Sequence, residues 1–176
     1  MGTGQQIRRN GFFETPIDDR SAAEEILEGV LLVAQREHEE RKLRFYSNLL
    51  ANIAFRTDVD RYLANALIKQ AERISYRQLC LLSLMAQRDM FFTKEQMLNF
   101  SYGREDTTRL SLAADAYDLG QQGLLSMDIN GPYTINIDIF GTSSLGNLLF
   151  ELMELGDIDK KELETSANLI RHSQLD

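Results

Sequence analysis

His38 stands in Glu37-His38-Glu39-Glu40, where the residue types suit a metal, but the second His of a zinc-protease helix is missing. His172, the other histidine, sits in a polar C-terminal run. Both read as solvated residues, while a carboxylate site drawn from Glu37, Glu40 and distant Asp residues stays open. Ser143 and Ser144 have no His in a recognisable nucleophile motif, and Ser at a helix start is usually a cap. Gly141 and Gly146 precede a helix without the Lys that a phosphate loop requires. Cys80 lies in the apolar run Leu79-Cys80-Leu81-Leu82 and reads as a small buried hydrophobe. Met85, Met90 and Met97, with Phe91, Phe92 and Phe100, read as core more readily than as a ligand box. No catalytic constellation, cofactor site or metal site is expected, so function must come from surfaces.

The 176 residues suffice for one sizeable domain or two small ones, and a hydrophobic share of 43% with 26% charged residues is ordinary for a globular chain. The lone cysteine fits a reducing, cytoplasmic setting. The start is polar, Gln6 replaces the Ser or Thr of a myristoylation motif, and no apolar stretch is long enough for a membrane span. Of the net charge of -8, none comes from residues 1–90, which hold 13 basic and 13 acidic side chains; residues 91–176 hold 6 and 14. That sign opposes phosphate binding.

Residues 1–20 read as a flexible lead-in that can dock through Phe12 and Phe13. Ser21 suits an N-cap, with Glu24 and Glu25 at the positive end of the helix dipole. Apolar residues recur at Ile26, Leu27, Val30, Leu31 and Ala34, and again at Leu43, Tyr46, Leu49, Leu50, Ile53 and Ala54. Between them Gln35–Lys42 is polar, but Glu37 with Arg41 and Glu40 with Arg44 are favourable i, i+4 pairs. The spacing therefore predicts one helix from about Ala22 to Phe55, roughly 50 Å long. One small core cannot cover its two apolar faces, so Ile26, Leu27, Val30 and Leu31 are candidate contacts in a homodimer or higher homo-oligomer. Thr57 and Asp60 open the next helix, whose face runs through Tyr62, Leu63, Ala66, Leu67, Ala71 and Ile74, completing a long helical hairpin over 21–74.

From Ser75 onward the chain predicts three helices, two strand-like runs around Asn130-Gly131-Pro132 and a further helix ending near 155. The helices are an apolar one from Ser75, one capped by Thr93, and one with an inner face of Leu110, Ala113, Ala114 and Tyr117 closed by Gly120 or Gly123. The final one carries Leu145, Leu148, Leu149, Leu152 and Met153 behind a Thr142 or Ser143 cap. A last helix and tail fill 156–176. The fold class is thus mainly α: a long N-terminal helical hairpin, then a segment with a small β-hairpin, then a C-terminal helix.

The order from Ser75 to Met153, with Gly123-Leu124-Leu125 leading into the hairpin and Thr142-Ser143-Ser144-Leu145-Gly146 after it, resembles the winged helix-turn-helix superfamily. That resemblance implies a third helix that enters the major groove and cations that hold phosphates. Here that helix carries Glu105, Asp106, Asp115 and Asp118 against Arg109, and the hairpin adds Asp128 and Asp138; Lys94 and Arg104 are the remaining cations. The acidic helix is therefore read as facing a protein partner, and tight DNA binding is not expected. Phe45-Tyr46-Ser47-Asn48-Leu49-Leu50-Ala51-Asn52 and Ile74-Ser75-Tyr76-Arg77-Gln78-Leu79 are similar to segments of bacterial abortive-infection proteins of the alpha type, which implies a bacterial chain linked to phage defence. The expected function is a non-catalytic protein-interaction or oligomerisation module. The alternative is a DNA-binding transcriptional regulator using Arg8, Arg9, Arg36, Arg41, Lys42 and Arg44.

Overall fold

The structure is a computed structural model; it describes residues 7–14, 16–17, 20–92, 99–101, 107–126, 134–136 and 141–171. The fold is mainly helical, with short antiparallel strand pairs and a C-terminal helix. The chain divides into two compact units, residues 1–75 with 152–154 and residues 76–151 with 155–176.

The first unit holds α1 (Ala22–Arg36), α2 (Leu43–Ile53) and α3 (Arg61–Arg73), which pack on one another. Ser21 caps α1 as expected: its Oγ accepts from Glu24 N–H at 3.2 Å, and Glu24 Oε2 accepts from Ser21 N–H at 2.9 Å. The single helix expected from Ala22 to Phe55 does not form. Glu37 is extended (φ -73°, ψ 123°), and a 3-10 turn at Glu40–Lys42 leads into α2. The break returns the second apolar stretch to the same core as the first. Ile26, Val30 and Val33 of α1, Phe45, Tyr46, Leu49 and Ile53 of α2, and Ala64, Leu67, Ile68 and Ala71 of α3 are all buried. Burying both stripes in one core outweighs the i, i+4 pairs that a straight helix would offer, since such pairs contribute only about 0.2–0.5 kcal/mol each.

Asp60, rather than Thr57, caps α3 by accepting from Leu63 N–H at 2.7 Å. Its inner face lies at Ala64, Leu67, Ile68 and Ala71, leaving Tyr62 exposed. The lead-in is docked over its described part: Phe12 is buried, and the buried Arg8 guanidinium donates to Val59 O at 2.6 Å and Ile53 O at 3.4 Å. It also lies 4.0 Å from the centre of the Phe12 ring. The Ile53 carbonyl ends α2, where intrahelical donors are lacking, and Val59 lies in the loop before α3, so this arginine ties the two together.

The second unit is built on α4 (Tyr76–Ala86), in which eight consecutive residues from Gln78 to Met85 are buried. The short α5 (Arg88–Phe91), α6 (Thr107–Gln121), α7 (Ser144–Leu152) and α8 (Lys160–Arg171) complete its helices among the described residues. Strand Asn99–Ser101 pairs antiparallel with Thr134–Asn136, and Leu125–Ser126 pairs with Gly141–Thr142. The helix expected to run from Thr93 through Phe100 is thus replaced at its end by a strand; residues 93–98 and the Asn130-Gly131 turn lie outside the described residues. The inner face of α6 is Leu112, Ala113, Ala116 and Leu119, not the expected set, and Leu110 and Tyr117 are half exposed.

Gly123, at φ 73°, closes α6 with both bonds of a Schellman motif, Leu124 N–H to Leu119 O and Gly123 N–H to Gly120 O, each 2.9 Å. Ser143 Oγ, the cap of α7, accepts from Gly146 N–H at 2.9 Å and donates to Gly123 O at 2.5 Å. α8 packs on α4, where Tyr76 OH donates to Glu162 at 2.7 Å. Leu149 of α7 is fully buried. Leu149→Ala is expected to cost about 2–5 kcal/mol through the cavity it leaves, read as a lowered midpoint in thermal or urea unfolding.

Candidate functional site

The turn between α1 and α2 gathers a buried, hydrogen-bonded polar cluster. The side chains of Glu37 and Lys42 are 5% and 2% exposed, and Lys42 Nζ lies 2.5 Å from Glu37 Oε2. Tyr46 OH donates to the same carboxylate oxygen at 2.7 Å, and Glu39 N–H donates to Oε1 at 2.9 Å. Burial pushes the Glu37 carboxyl up. The hydrogen bonds from Lys42, Glu39 and Tyr46 outweigh it and hold the group at about 2, below the usual carboxylate range. Burial first, and then the bond to Glu37, pushes the Tyr46 hydroxyl far above its ordinary value.

A cavity of about 340 Å³ opens beside this cluster, lined also by Val33, Arg36, Glu72 and Arg73. Donor atoms of Glu37, His38 and Glu39 lie within 4.8 Å of one another. The Lys42 ammonium already supplies the positive charge there, and both Glu37 oxygens accept hydrogen bonds, so a metal ion would have to displace them. Lys42 and Tyr46 are likewise committed to Glu37. The chemistry of this cluster is therefore structural: it fixes the reversal between α1 and α2.

A second feature of the same unit is apolar. Phe12, Phe13, Ala23, Leu27, Leu50, Ala51 and Ala54 line a cavity of about 340 Å³ along the seam where the start of α1 meets the end of α2, with Glu24 at its edge. Of the residues expected at an oligomer contact, Ile26 and Val30 face the unit's own core, whereas Leu27 and Leu31 are 44% and 52% exposed. Leu32 is exposed to a similar degree, and Phe13 and Leu43 add to the uncovered apolar surface. Folded monomers seldom leave several large aliphatic side chains together in water. No helix among the described residues is long and apolar enough to cross a membrane.

The expected partner-facing carboxylates of α6 are used within the second unit. Asp115 lies 2.5 Å from Arg77 Nε, and Asp118 accepts from Gln78 Nε2 and Gln122 Nε2, each at 2.7 Å. Because the apolar residues of α6 are spread around the helix rather than gathered on one face, its phase is set by packing on α4, which turns these two acids toward α4 and leaves Leu110, Ala114 and Tyr117 outward. Glu105 and Asp106 lie outside the described residues. Comparison of the chain with models of known protein families, with curated proteins and with solved structures finds no match.

Proposed function

We propose that this chain is a non-catalytic protein-interaction module that self-associates through the α1 side of its first unit, with an acidic winged-helix-type second unit that contacts protein rather than DNA. The observation that carries the reading is the exposure of Leu27 and Leu31, about one turn apart on α1, with Leu27 lining an apolar groove. Burying such a surface between subunits recovers hydrophobic free energy that the isolated unit leaves unused. The interaction role of the second unit is supported by the outward Leu110, Ala114 and Tyr117 of α6, where a DNA-reading helix would present cations.

The reading predicts a dimer or larger assembly in sedimentation at tens of micromolar, by the rough standard of a stable interface. Replacing Leu27 and Leu31 together with Glu should reduce it to monomers of unchanged helix content, because both side chains stand outside the subunit's core. An unmodified chain that sediments as a monomer throughout that range would remove the proposal.

A further inference from the structure

We propose that the occupant of the α1–α2 groove is a second copy of this chain, docked about a two-fold axis that pairs Glu24 of each subunit with Arg44 of the other. This inference rests on the self-association reading and specifies its geometry. The 3-10 turn joins the end of α1 to the start of α2, and Ala23, Glu24 and Leu27 line one cavity with Leu50, Ala51 and Ala54. The two helices are therefore antiparallel along the seam. Glu24 lies at one end of it and Arg44, in the first turn of α2, at the other.

Both residues are exposed, and neither has an oppositely charged partner among the described residues. Among the described residues, the Glu24 carboxylate accepts only the Ser21 N–H of its capping box. The Arg44 guanidinium lies over the Phe45 ring, 4.4 Å from its centre. An apolar strip with an unmatched anion at one end and an unmatched cation at the other is complementary to itself. A two-fold axis lying in the interface, perpendicular to the line from Glu24 to Arg44, carries each onto the other. It forms two identical ion pairs and sets Leu27 and Leu31 of the two copies together near the axis. The small side chains of Ala23, Ala51 and Ala54 leave the groove room to receive a leucine from the other copy.

The test uses the full chain. Glu24→Cys and Arg44→Cys variants are prepared separately, then treated with a short bismaleimide alone and as a mixture. The unsubstituted chain, whose Cys80 is buried, gives the background. The expected result is a cross-linked dimer from the mixture and none above background from either variant alone. In sedimentation, Glu24→Gln, which can still accept the Ser21 N–H, and Arg44→Gln should each weaken association about fivefold, and the double variant no further. Full additivity in that cycle, or Glu24→Cys linking to itself, overturns the two-fold geometry while leaving self-association in place. An unmodified chain that stays monomeric to about 100 µM overturns both.

Discussion

Replacing Gly146 with alanine is expected to cost about 3 kcal/mol or more, one of the largest single losses available in this chain. Gly146 lies in the first turn of α7, where the helix starts against the chain leaving α6. A Cβ there would stand 3.0 Å from the Leu124 carbonyl carbon and deep inside contact with its oxygen. That neighbour is backbone, and it cannot rotate away. Leu124 is fully buried, its carbonyl accepts from Ser143 N–H at 3.0 Å, and its own N–H closes the Schellman motif of α6. Relief of the clash must move the end of α6, the cap of α7 or both, so the cost exceeds that of an ordinary overpacked side chain. Gly29, in the middle of α1, gives the opposite case: its Cβ would meet only the end of the Ile68 side chain, at 3.6 Å. Gly29→Ala should therefore raise stability by up to about 1 kcal/mol, the helix-propensity difference. Thermal unfolding of the two variants decides the matter, and a Gly146→Ala chain as stable as the parent would show that this backbone contact does not exist.

Local rules are legible where one residue and its near neighbours settle the geometry. Ser21 with Glu24 opens α1, Ser143 opens α7 and Gly123 closes α6, because each cap is made within a few residues or at a backbone angle that glycine favours. The break at Glu37 is not legible in this way. Its i, i+4 partner Arg41 looks as good as any on paper, whereas the partner it takes, Lys42, is five residues on and comes into reach only when the chain has turned. Arg8 was hidden for a similar reason, since the carbonyls it satisfies belong to Ile53 and Val59. In α6 two apolar stripes overlap, and nothing within the helix says which one meets α4. The consequence reaches the site directly: Asp115 and Asp118, acidic in sequence and thus outward by default, are turned to Arg77 and Gln78 by that packing choice. The exposed leucines of α1 show the same limit. All of Ile26, Leu27, Val30 and Leu31 fit a helix face, but only contact with α2 and α3 divides them into core and surface.

Lys42→Met should destabilise the first unit by about 3–5 kcal/mol, because it leaves the Glu37 carboxylate buried without its cation. A surface pair would lose far less. The loss belongs to the orphaned charge rather than to the missing lysine, so Lys42→Met combined with Glu37→Gln should recover most of it: the neutral amide can still accept from Tyr46, and methionine fills much of the lysine's path. The pH dependence gives an independent check. With its carboxyl held at about 2 in the folded chain against 4.5 as the ordinary value, Glu37 favours folding fully above pH 4.5, and this contribution drains away as the pH falls toward 2. Glu37→Gln should flatten that part of the stability curve while leaving the region above pH 5 parallel to the parent. If the double variant is instead no more stable than Lys42→Met alone, the cost lies in lost packing of the lysine stem, and Glu37 is not the group that the turn is built to neutralise.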